Sequence, residues 1–177
     1  MEFSIQPLLE NDITRLIPLK ESDFEALYQV ASDPKIWEQH PNKNRYEREV
    51  FKNFFEGAME SGGAFLIWDK RNNQLAGSTR YYGYDEKENS IHIGYTFYGT
   101  QFWGTGINPS VKKMMMDYIF QYVDKVKFHV GAENFRSRTA MSRLGAEIID
   151  EIEVAYYGEP SRLNVVFQIK KSDYKSA

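Results

Sequence analysis

The chain has 177 residues, with 22 Lys+Arg against 25 Asp+Glu and no cysteine. That length suits one domain, residues 1–177, with its own buried core. The missing thiols exclude a disulfide scaffold, a thiolate zinc site, an iron–sulfur cluster and a cysteine nucleophile, and a net charge of −3 argues against a dedicated nucleic-acid binder.

Residues 14–19 read as a short strand. Ser22 opens a helix, with Glu25 three residues on as a capping box and Phe24, Leu27, Tyr28 and Ala31 on one face. Asp33-Pro34 ends it. A second helix fits residues 46–59, with Val50, Phe51, Phe54, Phe55 and Ala58 inward, and Gly62-Gly63 closes it. Residues 64–68, 74–84 and 90–98 form a three-stranded meander with polar turns. A glycine-containing loop, residues 101–106, leads into a helix with Asn108 as N-cap and Pro109 in its first turn. Val111, Met114, Met115, Tyr118 and Tyr122 are its buried stripe. Residues 126–130 are a strand, residues 134–144 a helix stopped by Gly145, and residues 146–157 and 163–171 a closing pair of strands. The whole is α/β (α+β), a mixed sheet of six to seven strands with helices on both faces. The N-terminal stretch lacks the basic and apolar regions of a secretory leader, and no apolar run reaches bilayer length. A soluble cytoplasmic protein without a membrane partner is the expectation.

The loop Gln101-Phe102-Trp103-Gly104-Thr105-Gly106 carries the chemistry. N–H groups at a helix start are unpaired and sit at the positive end of the macrodipole. Glycines let a phosphate approach them closely. The same glycines also serve a plain strand-to-helix turn. Neither a Walker motif nor a full dinucleotide fingerprint is present. Residues 101–145 hold seven cations and three anions within an acidic chain, which suits an anionic ligand. The acidic remainder suits a cationic acceptor.

With these residues in place, the chain resembles the GNAT N-acetyltransferases. Gln-x-x-Gly-x-Gly between a strand and a helix is similar to their acetyl-CoA pyrophosphate loop. His92-Ile93-Gly94-Tyr95, Trp103-Gly104-Thr105-Gly106, Asn134-Phe135-Arg136-Ser137 with Leu144-Gly145-Ala146, and Ser32-Asp33-Pro34-Lys35-Ile36-Trp37 resemble, in order, segments of the branch that acetylates ribosomal-protein N-termini. The resemblance implies that strand 90–98 splays from strand 126–130, and that backbone groups of Thr96, Phe97 and Tyr98 face the pantetheine arm. It further implies that the amides from Phe102 to Ile107, with Gln101 beside them, hold the pyrophosphate. Asn134, Ser137 and Arg138 then lie along the cofactor, and Ser137 stabilises or protonates the leaving thiolate. Asn134 is equally a natural N-cap and Ser137 a first-turn residue.

An amine acceptor must lose a proton before attack. His92 stands where many relatives carry Glu, and a neutral imidazole accepts a proton near pH 7. His40 and His129 are further imidazoles able to do so. Some N-terminal acetyltransferases carry a Glu where this chain has Tyr156, a departure that separates it from their mechanism and makes Tyr156 a catalytic candidate of a different kind. Trp37, His40, Tyr81, Tyr82, Tyr84, Tyr156 and Tyr157 are candidate acceptor lining, with Trp37, Tyr82 and Tyr156 foremost. The resemblance implies acetyl-CoA as co-substrate, no metal, a primary amine acceptor (a peptide N-terminus or a small amine), direct attack in a ternary complex, and a possible homodimer. The alternative is an acyl-CoA-binding regulatory or scaffold module with little turnover.

Overall fold

The computed structural model describes residues 2–155 and 158–174. Among them, eight strands form one mixed sheet in the order β1-β2-β3-β4-β5-β6-β8-β7. The strands are β1 (Leu9–Glu10), β2 (Thr14–Pro18), β3 (Ala64–Asp69), β4 (Gln74–Asp85), β5 (Ser90–Tyr98), β6 (Lys125–Gly131), β7 (Glu147–Ala155) and β8 (Ser161–Lys170). The helices are α1 (Phe24–Ala31), α2 (Arg48–Ser61), α3 (Ile107–Ile119) and α4 (Phe135–Arg143). The sheet has one strand more than expected, because β1 is a two-residue edge piece, too short to show a hydrophobic period.

Helices cover both faces. Leu27 and Ala31 of α1 and Phe51, Phe54 and Phe55 of α2 pack with Leu66 and Phe97 on one face. Ile107, Val111, Met115 and Ile119 of α3, with Met141 of α4, pack with Ile67, Tyr81, Ile91, Ile93 and Phe128 on the other. The meander β3–β4–β5 is antiparallel. β8 inserts beside β6, which leaves β7 on the outer edge.

Three local expectations need correction. The Ser22/Glu25 box does not form. The chain enters through a 3-10 turn at Glu21–Asp23, where Asp23 accepts the Lys20 backbone N–H at 2.8 Å, and Glu25 pairs with Arg48. Asn108 is not the cap of α3. Gly106 is, at φ +85°, a left-handed conformation that glycine adopts without a Cβ penalty. The Asn108 Oδ1 instead accepts from the Tyr98 hydroxyl at 2.9 Å. Tyr122 lies beyond the end of α3 and is exposed, whereas Met116 and Ile119 complete the buried stripe.

Candidate active site

β5 and β6 run parallel but pair only through Ser90↔Lys125, Ile91↔Val126 and His92↔Lys127. Beyond His92 they part. The cause is visible on the other side of β5. Its pairing with β4 jumps from Arg80↔Gly94 to Ser78↔Phe97, so β5 carries an extra residue. Tyr95 sits there at φ +54°, an uncommon conformation for a bulky side chain. It is held by its surroundings: the Arg80 guanidinium lies 3.6 Å from its ring centre, and Phe54 packs edge-on at 5.8 Å.

The bulge changes which side chains share a face. Simple alternation puts His92, Gly94 and Thr96 together and Tyr95 and Phe97 with Ile91 and Ile93. In the structure Tyr95 and Phe97 pack on the α1/α2 face, while Ile91, Ile93 and Tyr98 pack on the α3 face. Thr96 turns to the α3 face too. Its hydroxyl lies 2.9 Å from that of Thr79 and accepts from Lys112 Nζ at 3.0 Å.

The parted strands open a cavity of about 570 Å³, lined from both faces of the sheet. On the α3 side the lining includes Thr96, Tyr98, Phe102, Trp103, Gly104, Gly106, Lys112, Asn134 and Ser137. Phe97 also lines it. Gly104 stands at φ +72° and Gly106 at φ +85°. The amides of Gly104, Gly106, Ile107 and Asn108 have no acceptor among the described residues. Four N–H groups thus cluster at the positive end of α3, as an anion requires. Asn134 caps α4 by accepting the Ser137 N–H at 3.3 Å, and both residues line the cavity. Arg136 reaches across the mouth. Its guanidinium lies 3.8 Å from the Trp103 ring centre and donates to Ile36 O at 3.2 Å.

Some expected cofactor residues lie elsewhere. Gln101 and Thr105 line a separate surface hollow beside Asp69 and Arg71, and the Arg71 guanidinium donates to Thr105 O. The Ile107 side chain is core, so only its amide faces the loop. Arg138 donates to Ala132 O at 2.7 Å and lies outside the lining.

On the α1/α2 side the lining includes Trp37, His40, Tyr95 and His129. His129, rather than His92, lines the cavity. The His129 Nδ1 is buried with no hydrogen-bond partner among the described residues. Burial, with His92 and Lys127 nearby, pushes its pKa down to about 4. His92 lies behind it, ring centres 4.6 Å apart, stacked on Tyr82 at 5.0 Å. Burial lowers His92 as well, against a backbone contact of its Nδ1 with Gly83 O at 3.4 Å. With Nδ1 donating there, Nε2 is the lone-pair nitrogen. Burial, then Arg45 and Arg136, hold His40 well below the usual range. Three neutral imidazoles therefore occupy one side of the sheet. Tyr82 touches His92 and Tyr95 but does not line the cavity. Tyr81 and Tyr84 belong to the opposite face, Tyr81 donating to Met115 O at 2.6 Å. Tyr156 and Tyr157 lie outside the described residues.

Beneath this side lies a buried polar cluster. Arg45 pairs with Glu159 at 2.8 Å, with side chains 1% and 3% exposed. Its Nη1 is 3.2 Å from His40 Nε2. Arg80, its pKa lowered to about 10 by burial, donates to Phe54 O. The sequence offered little sign of either arginine's burial.

The sequence does carry a sign of Lys112. It lies within the inward arc of α3, beside Val111 and Met115 and four residues after Asn108, and a charge on an apolar face is informative. Lys112 is 3% exposed, and burial lowers its pKa to about 7.

The chain matches the acetyltransferase (GNAT) domain family over residues 14–147. It belongs to that family. GNAT acetyltransferases use acetyl-CoA as the acetyl donor, so the cavity of this GNAT domain is the place to look for it. Solved structures share the fold. A GCN5-related N-acetyltransferase from Brucella melitensis is 19% identical with a TM-score of 0.82, covering 96% of this chain and 80% of that one. Spermidine N-acetyltransferase from Vibrio cholerae, in complex with CoA and spermine, is 15% identical with a TM-score of 0.69, covering 93% and 99%. RimJ from Mycobacterium smegmatis, in complex with CoA-disulfide, is 17% identical with a TM-score of 0.68, covering 89% and 81%. A search of curated proteins finds no match. Among the described residues no cluster of His, Asp or Glu can hold a metal ion, and no helix is long and apolar enough to cross a membrane.

Proposed function

We propose that this GNAT domain transfers acetyl from acetyl-CoA to a primary amine, a peptide N-terminus or a small amine with an apolar part, by direct attack in a ternary complex. One observation carries this reading: a single cavity joins unpaired amides at the start of α3 to neutral imidazoles and aromatics on the opposite face of the sheet. The donor enters from the first side and the acceptor from the second. The pyrophosphate takes the amides of Gly104, Gly106 and Ile107. The thioester then reaches the gap beside Thr96 and Ser137.

The amine nitrogen attacks the thioester carbon, the C–N bond forms and the C–S bond breaks. His129 accepts the amine proton. An imidazole held at about 4 is neutral throughout the physiological range, and it becomes a competent acceptor once C–N bonding has acidified the nitrogen. The Ser137 hydroxyl, which lines the same cavity, donates to the departing thiolate. His92 holds its place behind His129 as a positioning group. The charged side chains bordering the acceptor side (Arg45, Arg80 and Arg136, with Glu159 on Arg45) favour an acceptor with a neutral body over a polycation.

The test pairs two measurements. Calorimetric titration measures acetyl-CoA binding. CoA thiol release is then followed with peptides bearing free N-termini, with spermidine and with aryl-alkyl amines. Binding with amine-dependent release from a peptide or aryl-alkyl amine supports the proposal. Tight binding without release from any amine supports the scaffold alternative.

A further inference from the structure

Lys112 is a buried amine that none of the steps above uses, divided between its ammonium and neutral forms near neutral pH. It reaches the cavity from the second turn of α3. One N–H of its ammonium goes to Thr96 Oγ1 at 3.0 Å, and the Thr96 hydroxyl in turn meets Thr79. Among the described residues no carboxylate lies within ion-pair distance. A buried ammonium with one neutral partner is short of acceptors, and such groups are costly to keep without a use.

Its position gives that use. The anion-binding amides and the imidazoles lie on opposite faces of the sheet, joined by the one cavity. A donor anchored at the amides must present its reacting carbon where the two linings meet. On β5 that place is Ile93-Gly94-Tyr95-Thr96, and on β6 it is Phe128-His129-Val130, the first residues past the last β5–β6 pair. Lys112 stands at that level on the α3 side, and His129 stands there on the other. Ser137 and Met141 of α4 line the same cavity as Lys112, and among the described residues no acidic residue is in the lining.

We propose that Lys112 is a catalytic residue of this domain. Held by Thr96, its ammonium donates to the carbonyl oxygen of the bound thioester and stabilises the negative charge that forms there as the amine attacks. The attacking nitrogen supplies the electron pair of the new C–N bond, and the carbonyl π pair moves onto oxygen beside the ammonium. The pair returns as the C–S bond breaks, so Lys112 neither gains nor loses a proton. A cation fixed in a low-dielectric site acts strongly on charge that exists only in the transition state. The inference rests on the acetyltransferase reading above.

The test isolates the donor side. Hydroxylamine is a small nucleophile, largely unprotonated at neutral pH, so it needs no help in losing a proton before attack. Acetohydroxamate formation from acetyl-CoA is measured for wild type, Lys112→Met and Lys112→Gln. Lys112→Met should lower kcat by about 10²–10³-fold, the effect of removing one such donor. Its acetyl-CoA affinity by calorimetry should stay within a few-fold of wild type, and its melting temperature should not fall, because a buried cation has been replaced by an apolar chain of similar length. Lys112→Gln, which keeps a donor without the charge, should fall between. An unchanged kcat overturns the inference, and so does a loss confined to KM, which marks a contact made equally in the ground state. A wild type that neither binds acetyl-CoA nor forms acetohydroxamate overturns the acetyltransferase reading itself. Both activities in wild type, beside equal kcat in Lys112→Met, overturn this inference alone.

Discussion

The two sides of the gap between β5 and β6 are built from different chemistry. The α3 side offers donors: the open amides at Gly104, Gly106 and Ile107, the Ser137 hydroxyl and the Lys112 ammonium. The α1/α2 side offers acceptors and aromatic surface: the neutral rings of His40 and His129 beside Trp37 and Tyr95. Acetyl transfer places phosphate and developing oxyanion or thiolate charge on one reactant and a proton to be removed on the other. A sheet that separates donors from acceptors across one gap matches that division.

The sharpest way to break the comparison is to close the donor side at its entrance. At Gly104 and Gly106 an added Cβ meets nothing within 4 Å, so a side chain there costs backbone strain at positive φ but no clash with the protein. The space it fills is the space a phosphate needs. Gly106→Val should therefore lower acetyl-CoA affinity on the order of a hundredfold, the loss of about two charge-assisted hydrogen bonds, while thermal melting shows a folded protein. Wild-type affinity in both Gly104→Val and Gly106→Val would remove the phosphate from this loop.

The next test acts on the other side. His129→Gln should lower kcat for amine acceptors at neutral pH by about 10²-fold and leave acetyl-CoA affinity unchanged. The deficit should persist at high pH, because His129 takes its proton only after C–N bonding and an amine that enters unprotonated still has one to lose. A flat response would pass the base role to a water chain or to His40. A smaller effect is expected at the leaving group. Ser137→Ala should cost roughly tenfold in kcat, one hydrogen bond to a charged atom, with KM for acetyl-CoA little changed. Equal losses in affinity and kcat would reduce Ser137 to a first-turn residue of α4.

The mildest test needs no substrate. All three imidazoles titrate below the free histidine value in the folded state, His129 at about 4. Between about 6.5 and 4 the unfolded chain binds protons that the folded chain refuses. The histidines' contribution to stability is therefore complete above about pH 6.5 and declines as pH falls through that window. Melting temperatures measured from pH 7.5 to 4.5 should fall, and His129→Gln should flatten the curve. No fall above pH 5 would mean that these rings are not buried neutral.

Much of this division was legible in the residues. The meander, the α1 and α2 faces and the glycine loop follow from hydrophobic period and turn chemistry, which act locally. The eighth strand was not, because two residues have no period. That His129 rather than His92 lines the cavity was not legible either, for a different reason. His92 and His129 lie on separate strands whose divergence depends on a bulge, and alternation along β5 cannot reveal an extra residue that only the pairing with β4 exposes. Lys112 was visible as a charge within the apolar arc of α3. What it faces required the sheet.

The extra residue at Tyr95 acts as a phase slip in β5. Before it, odd-numbered side chains face α3; after it, even-numbered ones do. The same residues paired without the slip would have the second half of the strand inverted. Thr96 would turn away from Lys112, and Phe97 would leave the aromatic cluster of α2 for the methionines of α3. A point substitution removes one contact, but loss of the slip with all residues kept would exchange the linings of the donor and acceptor chambers at once, whereas deleting the extra residue would leave Thr96 and Phe97 on their present faces. The backbone conformation at this point of the strand is thus as strictly specified as any side chain in the site.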